Sequence, residues 1–248
     1  NFTNVDELFD QLVDLGQFPV ETSDTITVLE RIGHFLDEEN ERLYSHYRKK
    51  GLEKIEITDR IVENIDVHRI LEESARRWDG GYAIGGLLGH GDAFIMRDPS
   101  GIRPAFYYMD EEVVVAASER PVIQTAFNVP MENIHEVKPG HALLIRPNGE
   151  VKEKPFKEST SIRPCSFERI YFSRGSDKDI YNERKSLGKY LVRDILKEVD
   201  HDLKHTVFSY IPNTASTAYY GMIDELHSFC DTIKKDQLKA LQGDYSEE

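Results

Sequence analysis

The sequence of 248 residues predicts an α+β fold followed by the start of an α/β segment. Three observations carry that prediction. Helical periodicity fills the chain up to Gly80. Four short β-type runs then follow one another from Gly81. From Cys165 onward, candidate strands and helices alternate. Helices followed by a strand meander mark a layered α+β domain, whereas alternation marks α/β construction.

The first helix is written in "NFTNVDELFDQLVDLG". Thr3 or Asn4 can cap it, with Asp6 or Glu7 as the reciprocal partner. Val5, Leu8, Phe9, Leu12, Val13 and Leu15 form its apolar stripe, and Gly16 ends it. A start directly on a cap reads as a trimmed or internal piece of a longer protein. A second helix follows Ser23 or Asp24, with Ile26, Leu29, Ile32, Gly33 and Leu36 on its buried side. Residues 38–66 mix Glu, Lys and Arg with sparse apolar residues, and predict a solvated helix and loop without a catalytic role. "NIDVHRILEESARRWDG" is a third helix, ending at Gly80 and Gly81. His68 on it is a surface or rim histidine, because no metal-ligating partners stand at helical spacing.

"GYAIGGLLG", "DAFIMRD", "PAFYYMD" and "EVVVAAS" predict consecutive antiparallel strands. Between the second and third lies "RDPSGIRPAFYY", Arg97 to Tyr108. Asp98-Pro99-Ser100-Gly101 is turn chemistry: Pro fixes φ at the second position and Gly tolerates positive φ at the fourth. The segment therefore predicts a hairpin or close strand pair. "SERPVIQTAF" is a short helix, and "GHALLIRPNGEV" is a strand running into an Asn-Gly turn. Residues 1–150 thus form the first domain. Residues 151–164, "VKEKPFKESTSIRP", are polar with two prolines and predict a linker. In 165–248, "SFERIYFS" and "HTVFSYIP" predict strands. "DIYNERKSLGKYLVRDILKEV" predicts a helix with Leu187, Tyr190, Leu191, Ile195 and Leu196 inward, and "STAYYGMIDELHSF" predicts another.

Acidic residues number 45 against 31 basic ones, a net charge of −14. That argues against nucleic acid as a partner, since a polyanion needs a basic face. It leaves room for a small phosphorylated substrate held by a few local groups. Two cysteines, Cys165 and Cys230, give neither a disulfide framework nor a CxxC metal pair, and predict a reducing, cytoplasmic setting. No apolar stretch approaches ~18 residues and no signal peptide is present, so neither membrane insertion nor secretion is expected.

No GxSxG, HExxH or Walker loop occurs. Asp24 at a helix start is most simply a cap. The turn "YIPNTAST", Tyr210 to Thr217, is the best local candidate for chemistry. It places backbone N–H groups and small hydroxyls at a helix N-terminus, where phosphate or pyrophosphate binds. An ordinary capped βα loop is the plainer alternative.

Together the segments resemble a known family. "RDPSGIRPAFYYMDEEVVVAASE" is similar to the D-P-x-G-x-R-P-L element and A-S-E-S of the class II glutamine amidotransferases. "NFTN", "TSDT" and "VKPGHALLI" resemble that family's N-G-N-L-T-N, T-S-D-S/T-E and V-x-P-G-E stretches. "RPCSFERIYFSRGSDKDIYNERKSLGKYL" resembles the domain junction of one subfamily, amidophosphoribosyltransferase, and "VFSYIPNTAST" resembles its V-I-P-V-P-D/E-T-S loop. The likeness covers nearly the whole chain except 38–66 and the last dozen residues.

The resemblance implies part of an N-terminal-nucleophile-hydrolase αββα sandwich, then the start of an α/β type I phosphoribosyltransferase domain. It implies a glutaminase whose N-terminal cysteine attacks the glutamine side chain, with an Asn-Gly oxyanion hole. Ammonia then displaces pyrophosphate from phosphoribosyl pyrophosphate, with Mg²⁺ expected, in the first step of purine biosynthesis. It also implies a homo-oligomer for the full-length enzyme. The sequence departs from the family pattern in places. Residue 1 is Asn, so the nucleophile cysteine, the carboxylate-binding arginine and the Asn-Gly pair are expected upstream, and the chain as given is expected to be inactive. The ribose-phosphate loop is absent. Asn213 and Ala215 stand where the family has Asp or Glu and often Ser. Asp24 carries over as the carboxylate that pairs with the substrate's α-amino group. Pro212, Asn213, Thr214, Ala215 and Ser216 carry over as the pyrophosphate loop. Arg97, Asp98 and Arg103 are expected to hold the turn and layer interface by charge-assisted hydrogen bonds. Cys165 stands where an iron–sulfur subclass has a ligand, but with no set of four cysteines a cluster is not expected. Two alternatives remain: another class II amidotransferase (sugar-phosphate aminating or asparagine-forming), and a catalytically inactive paralogue serving as a binding or regulatory partner.

Overall fold

The computed structural model describes residues 1–159 and 161–244. The chain divides into two units, Asn1–Cys165 and Ser166–Glu248.

The first unit opens with four helices. α1 (Val5–Asp14) buries Leu8 and Leu12, while Val13 and Leu15 of the expected stripe face outward. Asn4 sits at the cap position without a side-chain cap bond. α2 (Asp24–Lys49) is capped by Ser23, whose Oγ accepts the Ile26 N–H at 3.4 Å. Its inward face is Thr27, Val28, Arg31, Ile32, Glu39 and Leu43, with Leu29 exposed. It therefore runs far into the charge-dense stretch, which is solvated on one face only. Glu39 is buried because Arg42 holds both its oxygens, at 2.7 and 2.6 Å, with Arg69 at 3.5 Å. A carboxylate leaves water only when paired in this way. α3 (Lys54–Asn64) begins with a reciprocal Glu53–Glu56 capping box. α4 (Val67–Ala75) is capped by Asp66, which accepts the Arg69 N–H at 3.1 Å. His68 on α4 donates from Nε2 to the Pro155 carbonyl at 2.6 Å, a structural contact.

The strands are β1 (Ala83–Leu87), β2 (Ala93–Arg97), β3 (Phe106–Met109), β4 (Val114–Ala117), β5 (His135–Glu136), β6 (His141–Ile145) and β7 (Val151–Pro155), with α5 (Arg120–Phe127) after β4. They form two antiparallel sheets, ordered β1-β2-β6-β7 and β4-β3-β5. This corrects the expected single meander and the expected hairpin at 97–103. β2 has both edges taken, by β1 and β6, and β3 has both taken, by β4 and β5. The Asp98–Gly101 turn therefore carries the chain from one sheet to the other. The linker also begins later than predicted. Val151–Pro155 is an edge strand, and its polar composition is that of a strand with one side in water.

One core binds the helices to the four-stranded sheet. Leu8, Val28, Ile32, Leu43, Ile70, Leu71 and Trp78 pack against Tyr82, Phe94, Met96, Ala142 and Phe156. Each such large side chain contributes roughly 1.5–3 kcal/mol by leaving water. α5 lies against β3 and β4 of the other sheet.

The second unit contains α6 (Lys178–Glu198) and α7 (Ser216–Asp244). Asp177 caps α6, accepting the N–H groups of Asp179 at 2.9 Å and Ile180 at 3.3 Å. Its buried side is Ile180, Arg184, Gly188, Val192 and Leu196, while Leu187, Tyr190 and Leu191 of the predicted inward set are exposed. Backbone contact sets that rotation. A Cβ on Gly188 would lie 1.7 Å from the Ala218 carbonyl oxygen, and one on Gly221 would lie 1.9 Å from that of Lys185. Val192, Leu196, Met222 and Leu226 fill the crossing.

The two strands predicted for this unit are absent among the described residues, which corrects the α/β expectation. Within "SFERIYFS", Glu168–Phe172 is a π-helical turn, and the Ser173 N–H returns to the Glu168 carbonyl at 2.7 Å. "HTVFSYIP" is irregular. A strand needs neighbours for its backbone groups, and these aromatic runs have none among the described residues of the unit; the 168–172 turn bonds locally instead. No helix among the described residues is long and apolar enough to cross a membrane.

Candidate functional site

The Arg97–Arg103 turn shapes the first candidate cleft. Asp98 is fully buried. Its Oδ1 accepts the N–H groups of Ser100 and Ile102 at 3.0 and 2.9 Å, and its Oδ2 accepts that of Arg103 at 3.0 Å. Arg97, also buried, donates to the carbonyls of Arg103, Val137 and Gly101 at 2.7, 2.8 and 3.1 Å, and pairs with Glu136 at 2.8 Å. The buried Arg97 and Asp98 side chains are thereby matched within the protein, as burial requires. Ile102 and Arg103 leave the turn in a fixed direction.

They enter a cleft of about 540 Å³ whose walls also include Asp24, Thr25, Tyr82, Ile84 and Cys165. Asp24 is the first residue of α2, and Ser23 is the cap, so capping does not explain Asp24. Asp24 Oδ2 accepts the Phe2 N–H at 3.0 Å, and its side chain is 36% exposed. The backbone nitrogen of Asn1 stands 3.8 Å from the same oxygen. Asp24 and Arg103 thus both stand on the cleft wall, and the Asp24 carboxylate is the charge that complements the ammonium of a free amino acid. Sequence reasoning gave Arg103 a structural role first, with direct catalysis as the lesser reading. The Ile-Arg-Pro following the turn was the available signal, since a turn held so tightly aims the next side chain. Tyr82 is buried with no hydrogen-bond partner for its hydroxyl, and burial together with Asp98 and Asp79 raises its pKa.

The second cleft, about 420 Å³, lies within the second unit. Pro212, Asn213, Thr214 and Ala215 line it, opposite Ile170 and Tyr171 of the π-helical turn, with Arg184 and Leu187 from α6. Ser216 is not on its wall. It opens α7, and its Oγ donates to the Asn213 carbonyl at 2.9 Å. The Tyr219 N–H closes on the Ala215 carbonyl at 2.9 Å. Four of the five predicted loop residues are therefore brought together at a helix start, although the strand expected before them is missing. Arg184 was missed by sequence reasoning, because its spacing reads as an exposed helical position. Among the described residues, no group of three or more His, Cys, Asp or Glu side chains is placed to hold a metal ion.

No family model matches the chain. It is 34% identical to the amidophosphoribosyltransferase of Lachancea kluyveri over 170 residues, 63% of this chain and 32% of that protein. It is 26% identical to the Pseudomonas aeruginosa amidophosphoribosyltransferase over 238 residues, 91% of this chain and 42% of that protein. The chain thus spans less than half the length of these curated relatives. A solved structure of glutamine phosphoribosylpyrophosphate amidotransferase from B. subtilis, complexed with ADP and GMP, matches 92% of this chain and 42% of its own. Its TM-score is 0.61 at 23% sequence identity. In fold, the chain is similar to that structure, with mixed helices and sheets. By sequence, it is a relative of the amidophosphoribosyltransferases.

Proposed function

We propose that the protein acts as a glutamine phosphoribosylpyrophosphate amidotransferase, making phosphoribosylamine from glutamine and phosphoribosyl pyrophosphate in the first step of purine biosynthesis. The observation that carries the proposal is the reach of the sequence likeness. It covers 91% of the chain in the Pseudomonas aeruginosa relative, and so runs through both units. A different class II amidotransferase would share the first unit only, and the likeness does not favour an inactive paralogue.

In this reading the first unit is part of an N-terminal-nucleophile-hydrolase αββα sandwich, and the second begins a type I phosphoribosyltransferase domain. Asp24 pairs with the glutamine α-ammonium by a charge-assisted hydrogen bond, and the arginine that holds the α-carboxylate lies upstream of Asn1. The 212–216 loop takes pyrophosphate at the start of α7, where backbone N–H groups and the helix dipole favour an anion. That loop carries no carboxylate, and the described residues offer no cluster of metal donors. They do not fit a protein-held Mg²⁺.

Full-length protein given glutamine and phosphoribosyl pyrophosphate should release glutamate and pyrophosphate together, and pyrophosphate alone when ammonia replaces glutamine. Release of pyrophosphate with neither nitrogen source above background would overturn the proposal.

A further inference from the structure

We propose that Arg184 is a positioning residue for anion binding in the second cleft: it clamps the 168–172 turn onto α6 and leaves an uncompensated positive charge beside the 212–215 loop. The inference rests on reading that loop as a pyrophosphate site, and adds a residue that the reading did not contain.

The geometry is specific. Arg184 is 5% exposed, yet it lines the cleft. Its Nε donates to the Arg169 carbonyl at 2.9 Å and its Nη2 to the Ser173 carbonyl at 2.7 Å. These carbonyls stand near the start of the π-helical turn and at its cap, so the fork spans the turn. The fork therefore fixes the turn, and with it Ile170 and Tyr171, the wall opposite Pro212–Ala215. A lysine could not hold two carbonyls in the same planar way.

The charge is the second half of the argument. Buried cations are ordinarily matched by carboxylates. Arg184 makes no ion pair among the described residues, and both its acceptors are neutral. Burial lowers its pKa, with no acidic neighbour offsetting the effect. Glu39 in the first unit shows the contrasting arrangement, a buried charge gripped by two arginines. A guanidinium so placed, next to a helix start with Thr214 on the wall, suits a diphosphate group. The cleft of about 420 Å³ is roomy enough to admit one.

The test uses the full 248-residue chain and inorganic pyrophosphate as probe, with affinity measured by calorimetry and folding by circular dichroism. Arg184→Gln removes the charge and the fork; Arg184→Lys keeps the charge. The expected result is a loss of tenfold or more in pyrophosphate affinity for Arg184→Gln and a smaller loss, about three- to fivefold, for Arg184→Lys, which keeps the charge and loses the fork. Affinity in Arg184→Gln within twofold of wild type overturns the inference. So does an equal loss in the two folded variants, which would make Arg184 a strut alone. Should either variant fail to fold, the Arg184 Nε–H resonance of the wild-type chain decides: it should shift on pyrophosphate addition, and an unmoved resonance at saturation overturns the inference. A wild-type chain that binds no pyrophosphate removes the loop reading itself, an outcome distinct from failure of Arg184 alone.

Discussion

Arg97 Nε donates to the Arg103 carbonyl at 2.7 Å while Asp98 Oδ2 accepts the Arg103 N–H at 3.0 Å, so one residue is held at both its backbone groups by adjacent side chains. This grip turns the chain from the four-stranded to the three-stranded sheet and sends Arg103 into the Asp24 cleft.

The turn should be sensitive at Asp98. Asn retains one acceptor oxygen but sets an amide N–H₂ against backbone donors in a site closed to water. With charged hydrogen bonds worth about 1.5–3 kcal/mol each, Asp98→Asn should cost about 3 kcal/mol. Urea unfolding of the first unit reads this directly, and a loss below about 0.5 kcal/mol, the range of neutral surface changes, would show the carboxylate to be dispensable.

The helix crossing of the second unit should be equally sensitive at Gly188. Any Cβ there meets the Ala218 carbonyl, so α6 and α7 must move apart. Gly188→Ala should destabilise this unit by about 1–3 kcal/mol, the usual cost of overpacking. Hydrogen exchange should show faster opening of α6 and α7. Tyr190→Ala, on the exposed face, should leave exchange unchanged.

Tyr82 gives the protein an alkaline limb. Its folded pKa is raised by burial above the unfolded value of about 10. The stability this phenol contributes is therefore fully present below pH ~10 and is lost as pH rises toward the folded value, with a slope of up to about 1.4 kcal/mol per pH unit. Tyr82→Phe should flatten that limb. At pH 7 it should be neutral or slightly stabilising, because the buried hydroxyl has no partner to lose. Chemical denaturation from pH 8 to 11 distinguishes the two profiles, and parallel curves would contradict the assignment.

Helices were legible where apolar spacing was regular, as in α1, α4 and α6, and so were the turn residues at Asp98–Gly101. Rotation about a helix axis was not. Leu29 and Tyr190 have the right composition for burial but the wrong azimuth, because Glu39 and Gly188 took the inward face through ion pairing and backbone contact. Partition into two sheets was also hidden, since pairing between strands distant in sequence leaves no local mark. "SFERIYFS" misled because β propensity describes fit to a sheet, and the described residues of its unit form none. Asp24 was legible through its resemblance, and the loop through its position before α7. Arg103 and Arg184 entered their clefts through tertiary placement that no spacing encodes.

The claim that the Asp24 cleft takes glutamine is tested most directly by Asp24→Asn in the full-length enzyme. Ser23, not Asp24, caps α2, and Asn keeps an oxygen for the Phe2 N–H, so thermal stability should barely change. Loss of the charge should raise the glutamine KM by about tenfold or more, since a charge-assisted hydrogen bond of about 1.5–3 kcal/mol is weakened and 1.4 kcal/mol is a factor of ten. Ammonia-dependent activity should survive. A glutamine KM within about twofold of wild type, with the same sensitivity to ammonia, would contradict the assignment of this cleft.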